Sequence, residues 1–434
     1  MFKKTFLIVI LFSILSLILF SCSKDSPTKS SASNLFSVQF AGGYQMDKGW
    51  IILYNLTGDS AIAAKRVFYG DNSVNFGNIG ATRASITKID VYFGFGQSYI
   101  EITTNLDVQA GSWSFADNQE LENKTVNISR FFPDDFYDYS VVSLPNIAHI
   151  FFGLSGSSDL NRTFYLNYLD EAGKFSAYSS VYNENSNTAF AGWVLNQDFP
   201  LDSSFVINLD KPMQTAMVIT SRPIDIFVNG CYRGSNYTWY GQSFYVYSAG
   251  GVTPHFVHYS PDFPAQSYLL EGLMFGSNDS YYFRQKHNSL PSTLEISNAY
   301  LTYNYNQLLH QFENIAVVGT ADQLNANWSY FGFNYDIYWT VYTGAQKQTI
   351  FMPVLPDSVI MDLTGTTILP FFQPGEVTLD DYDTAKNIDD IINMFFKSSV
   401  PPASKYQKYY NYSRSYTNLT ETKKQKMIEK YLKK

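Results

Sequence analysis

The sequence predicts an all-β protein: several consecutive antiparallel β-sandwich modules with a short C-terminal helical tail. Three observations carry this. Aromatic residues make up 17% of the 434 residues, including 34 Tyr and 35 Phe, and these residue types suit pleated, half-buried surfaces. Apolar residues recur at period two, as in Ile89, Val91 and Phe93 or Ile100 and Ile102, which is the spacing of half-buried strands. Turn residues punctuate the apolar runs at short intervals, as in a sandwich. Helical spacing enters near the end, where Ile388, Ile391, Ile392 and Phe395 share one face. Asp381 or Asp383 is placed to cap that helix, and Pro401-Pro402 to stop it.

Taken in order, the chain opens with Lys3 and Lys4 before an apolar run over residues 6–20. That run is shorter than the roughly 20 residues a membrane span needs and has the form of a cleaved secretory signal. It ends Leu19-Phe20-Ser21-Cys22, which resembles the lipobox of bacterial lipoproteins. The resemblance implies that residues 1–21 are removed and that Cys22 carries lipid, making the lipid bilayer a partner. Ser23-Lys24-Asp25-Ser26 resembles the surface-export signal of Bacteroidota lipoproteins and implies display at the outer membrane surface. Residues 22–34, rich in Ser, Lys and Pro, read as a flexible tether.

Residues 35–120 form the first expected module. Its apolar run Trp50-Ile-Ile-Leu-Tyr54 is followed by turns at Leu56-Thr-Gly-Asp59 and Gly70-Asp-Asn72. Over residues 50–113 the order of apolar strand, Gly-Asp turn, strand, Asn-Phe-Gly, alternating strand and Ala-Gly-Ser-Trp resembles the carboxypeptidase-regulatory, transthyretin-like modules of Bacteroidota surface proteins. Such modules serve as spacers or binding adaptors. Residues 121–220 echo this order as a second module, with Asp170-Glu-Ala-Gly173 as its turn. In the third, 221–290, Asn229-Gly230 between two β runs predicts a type I′ hairpin turn and resembles the opening of PEGA-type modules. The fourth, 291–380, has strands at Ile315-Ala-Val-Val-Gly319 and over 335–342, one helical turn at 308–312, and a proline-bearing edge strand at 349–356. Residues 381–434 form the helical, basic tail.

Net charge is −8. Residues 1–21 carry +2 and residues 403–434 carry +7, leaving −17 on residues 22–402. An acidic body argues against nucleic acid as a partner, because phosphate binding needs clustered cations. Of the two cysteines, lipidation of Cys22 leaves Cys231 unpaired, and a lone cysteine in an aromatic strand reads as a small buried residue.

No motif for nucleophilic catalysis, nucleotide binding or a cofactor occurs, and no catalytic residue is assigned. His255 and His258 fall on opposite sides of a strand, so no metal site is expected. Asp134-Asp135 with Asp138, and Asp380-Asp381 with Asp383, read as turns and caps, since glycosidase chemistry needs two carboxylates about 5–10 Å apart across a cleft. Among six tryptophans, Trp239 with Tyr240 lies in the polar, aromatic Asn236-Tyr-Thr-Trp-Tyr240 and is the candidate for stacking on carbohydrate. Asp59-Ser60-Ala61, Asp357-Ser358-Val359 and Asp383-Thr384-Ala385 resemble the Bacteroidota O-glycosylation motif, which implies modification of Ser60, Ser358 and Thr384. The expected function is therefore that of a lipid-anchored surface protein serving non-enzymatic binding, adhesion or display, with carbohydrate or another surface protein as partner. The alternatives are a glycan-binding lipoprotein of a polysaccharide-uptake system, or a surface hydrolase with a dispersed acidic site.

Overall fold

The structure, a computed structural model, describes residues 35–41, 43–94, 96–116, 124–131, 139–144, 147–152, 162–166, 174–183, 188–198, 204–232, 242–247, 254–397 and 406–416. The fold is all-β, with two helices among the described residues. No described helix is long and apolar enough to cross a membrane. The expected signal, tether, Cys22, the Asp134–Asp138 cluster, the Asp170 turn, Trp239, Tyr240, Pro401-Pro402 and the lysine-rich end lie outside the described residues.

A twelve-stranded sheet dominates. Its strands in chain order are β1 (Lys48–Tyr54), β2 (Ala61–Phe68), β3 (Arg83–Gly94), β4 (Gln97–Gln109), β5 (Asp225–Tyr232), β6 (Gln242–Tyr247), β7 (Ser267–Phe275), β8 (Asp279–His287), β9 (Gln323–Phe331), β10 (Tyr335–Gly344), β11 (Gln373–Tyr382) and β12 (Lys408–Ser415). Their spatial order is β6-β5-β7-β8-β12-β11-β9-β10-β4-β3-β1-β2. Every neighbouring pair is antiparallel except β4 and β10, which run parallel with Ile100 beside Ile337 and Thr103 beside Thr340. The sheet thus draws strands from the stretches expected as the first, third and fourth modules, and from the expected tail.

Period-two alternation sorts its side chains. Ile89, Ile100, Ile102, Ile337, Trp339, Trp328, Val377 and Leu379 point to one face. There they meet two smaller sheets, one built on Tyr300–Asn306, Gln311–Val318 and Ile350–Phe351, the other on Gln214–Thr220, His255–Tyr259 and Thr293–Leu294. On the opposite face, at the β1–β3 end, Ile51, Leu53 and Ile86 pack against Phe36, Val38, Trp113 and Phe115 of a three-stranded sheet. Two further sheets between residues 124 and 212 enclose their own core around Val126, Ile128, Phe175 and Ile207.

Several local expectations are corrected. Asn229-Gly230 is not a turn: β5 runs straight through it, with Asn229 opposite both Tyr245 and Leu269. Ladders on both edges outweigh the local turn preference, and Gly230 is not among the residues with positive φ. Residues 307–310 make a turn with His310 at φ 49°, after which Gln311–Val318 is a strand rather than a helical turn. The expected edge strand at 349–356 shrinks to Ile350–Phe351, and Pro356 leads into a helix, α1 (Asp357–Thr364), closed by Gly365 at φ 73°.

The predicted C-terminal helix is α2 (Ile388–Phe396), and Ile388, Ile391, Ile392 and Met394 are buried. Its cap is Asn387, whose side chain accepts from the N–H groups of Asp389 and Asp390, while Asp383 accepts from the Gln407 N–H instead. Beyond α2 the chain returns to strand at β12, where Tyr-Asn-Tyr-Ser alternation supplies a period of two.

Candidate binding site

Near the middle of the large sheet, on the face away from its main core, lies a cavity of about 440 Å³, within the range of pockets that hold small ligands. Six strands supply its floor. β3 gives Lys88 and Asp90, β4 gives Thr103 and Asn105, β10 gives Thr340 and Tyr342, and β9 gives Gln323, Asn325 and Asn327. β11 gives Glu376, Thr378, Asp380 and Tyr382, and β12 gives Tyr409 and Asn411. Phe115 and the α2 residues Ile391, Phe395 and Phe396 form the wall. The sheet register brings these residues together. Asn105 sits beside Tyr342, Tyr342 opposite Asn325, and Gln323 opposite Asp380, which in turn faces Asn411.

Part of this floor is a fixed network. Asp380 accepts from Tyr409 Oη at 2.7 Å, from Asn411 Nδ2 at 2.7 Å and from Asn325 Nδ2 at 3.1 Å. Glu376 accepts from Asn327 Nδ2 at 3.3 Å and from Ser413 Oγ at 2.5 Å. Asn327 lies over Gly375, where an added Cβ would come within 1.8 Å of Asn327 Oδ1; a side chain there would displace the amide. Another part of the floor has no internal partner. Asn105 and Gln323 are 4% and 6% exposed and line the cavity, yet neither side chain hydrogen-bonds to another described residue. A buried amide without a protein partner costs free energy, and water or a ligand in the cavity is what remains to satisfy it.

The edges are held by charge and rings. Lys88 Nζ is 2.6 Å from Asp90 Oδ2 and 5.1 Å from the Phe115 ring centre. Tyr44 donates to Asp90 Oδ1 at 2.8 Å, and its hydroxyl occupies the space a Cβ on Gly49 would need. α2 is fastened by Phe396 stacked on Trp113 at 5.3 Å and by Asp389, which Arg83 meets at 2.7 Å. Burial pushes the Tyr342 hydroxyl up to about 12, helped by the nearby Asp380, and burial together with Glu101 does the same for Tyr92. All the shifted phenols stay neutral donors at physiological pH. Two residues further along the strands, the same face carries Tyr92 stacked on Tyr99 at 5.3 Å, with Glu101 and Tyr338 beside them.

The residues expected from sequence fare differently. Ser60, Ser358 and Thr384 are all exposed, Ser358 in the first turn of α1 and Thr384 in the turn after β11. His255 and His258 are buried on opposite sides of their strand, and each ring meets a threonine at 3.1 Å; burial lowers the pKa of both. No cluster of metal ligands occurs among the described residues. Cys231 sits in β5, where burial pushes its thiol pKa up. Of the acidic trio, Asp380 enters the cavity, Asp381 accepts from Thr320 Oγ1 and Asp383 secures a turn. Trp113, Trp328 and Trp339 are core residues. Trp50 donates to Asp362 at 2.9 Å, and Trp193 stacks on Tyr178 at 6.2 Å.

The cavity itself was not anticipated. Its signal was present in polar residues at period two within β strands, Gln323-x-Asn325-x-Asn327 and Glu376-x-Thr378-x-Asp380. Such alternation also describes any strand with a solvated face, so only the register shows that these rows converge.

No protein-family model matches the chain, and no curated protein matches it. Among solved structures, a chain from Bacteroides ovatus ATCC 8483 named a "putative adhesin" matches over 45% of this chain and 98% of its own, at 9% identity and a TM-score of 0.19. At that score the likeness carries no argument about fold or function.

Proposed function

We propose that this chain is a lipid-anchored cell-surface protein that binds a partner without transforming it, and that the cavity on the large sheet is its binding site. The observation that carries this reading is the pair Asn105 and Gln323: two buried amides that open into a cavity and have no partner among the described residues. The lipobox-like end of the leader supports anchoring through Cys22.

The arrangement of carboxylates favours binding over hydrolysis. Glu376 and Asp380 stand four residues apart on one strand, about 13 Å at 3.3 Å per residue. Asp90 lies four strands from Asp380, at least about 19 Å away at the usual strand spacing. Both separations exceed the roughly 5–10 Å that glycosidase carboxylates span.

The experiment is an adhesion assay with cells carrying the chain, paired with radiolabelled palmitate incorporation and protease shaving. Wild-type chain should take up label, be shaved from intact cells and promote adhesion. Cys22→Ser should lose all three. A Cys22→Ser chain that is still labelled, or a wild-type chain that resists shaving, would contradict surface anchoring. Exposed Ser60, Ser358 and Thr384 would carry glycan in the native protein, read by mass spectrometry of its peptides.

A further inference from the structure

The composition of the cavity narrows the class of ligand. Hydrogen-bonding groups alternate along its floor: Asn and Gln amides that both donate and accept, carboxylates that accept, and Thr hydroxyls that do either. A partner matched to that floor must offer donors and acceptors close together over a compact surface. A hydroxyl group does both at one atom, so adjacent ring hydroxyls suit adjacent amides and carboxylates. Against this floor stands an aromatic wall of Phe115, Phe395 and Phe396, which suits the apolar C–H face of a sugar ring, since aromatic faces carry partial negative charge.

Charge narrows it further. Among the described residues, Asp90, Glu376 and Asp380 line the cavity with one cation, Lys88, and Lys88 is paired with Asp90. Bound sulfate or carboxylate groups would meet a net negative lining, so an anionic polysaccharide is disfavoured. We infer that the cavity binds a neutral saccharide, gripped by Asn105, Gln323 and the amide–carboxylate rows and stacked on the α2 aromatics. The inference rests on the cavity being the binding site.

The test uses the full chain in a detergent that carries no sugar headgroup. It is applied to an array of neutral oligosaccharides, sulfated and uronic-acid oligosaccharides, and lysine-rich peptides, followed by calorimetric titration of whatever binds. Asn105→Leu and Gln323→Leu are the variants. Each replaces an amide that lines the cavity by an apolar group of similar size, and retained folding is checked by thermal unfolding. The expected result is binding to at least one neutral oligosaccharide, weakened at least ten-fold by either variant. Binding confined to anionic saccharides or to basic peptides would overturn the inference. So would saccharide binding lost on Trp239→Ala and kept in the two leucine variants, or an array on which nothing binds. In that last case, cell adhesion that still falls in the leucine variants would keep the cavity as the binding site and remove only the saccharide.

Discussion

Asp322 shows how burial at a single residue becomes a dependence on pH. It precedes β9, is buried, and accepts a hydrogen bond from the Tyr382 N–H at 2.8 Å. Burial raises its pKa to about 6 despite that bond, and Asp381, Asp390 and Asp380 nearby add to the rise. The folded protein therefore holds a proton on Asp322 that the unfolded chain releases at lower pH. Stability from this group is fully present below pH 4 and is lost as pH rises through about 6. At about 1.4 kcal/mol per pH unit, the loss is on the order of 3 kcal/mol. Urea unfolding of wild type and Asp322→Asn should show the variant gaining on wild type between pH 4 and 7; a difference that is flat across this range would contradict the assignment. Nothing in the sequence marks Asp322 apart from its neighbours, because its shift comes first from burial and then from Asp381, Asp390 and Asp380, which only the folded chain brings near it.

At the scale of elements, α2 holds the pocket wall in place. Its helical period was legible in the sequence, and so were the strands β3 and β4, whose Ile89, Val91, Ile100 and Ile102 are buried as their alternation requires. What could not be read was which surfaces the helix joins. Ile388 and Ile392 enter the core beneath Trp113, whereas Ile391 and Met394 pack with Tyr382, Tyr406 and Tyr409. The helix thus bridges strands from the beginning of the described chain and strands from its end. Ile392→Ala should cost about 2–5 kcal/mol, and Asn387→Ala about 1 kcal/mol through loss of the cap, both measured by urea unfolding. Because the cap lies outside the cavity, Asn387→Ala should leave ligand binding intact at temperatures where the protein stays folded. The Asn229-Gly230 segment shows the reverse lesson: a strong local turn preference yields when both strand edges are paired.

For the whole molecule, the decisive feature is one parallel pairing. β4 and β10 are far apart in sequence, and local pattern cannot choose between β10 as the neighbour of β4 and β10 as part of a separate sandwich. The polar alternation of Thr103 and Asn105 fits either arrangement. Only when β10 lies beside β4 do Asn105, Gln323 and Asp380 border one cavity, so the all-β class was legible and the site was not. The most direct measurement is oxidation, or bridging by a short thiol crosslinker, of a Thr103→Cys/Thr340→Cys chain. The two positions are direct neighbours on the cavity face, within the Cα separation a disulfide tolerates. The structure predicts efficient intramolecular linkage, with none in a Thr103→Cys/Trp339→Cys chain, because Trp339 points to the opposite face of the sheet. Failure of the first pair to link, or equal linkage of both, would contradict the shared sheet and with it the cavity.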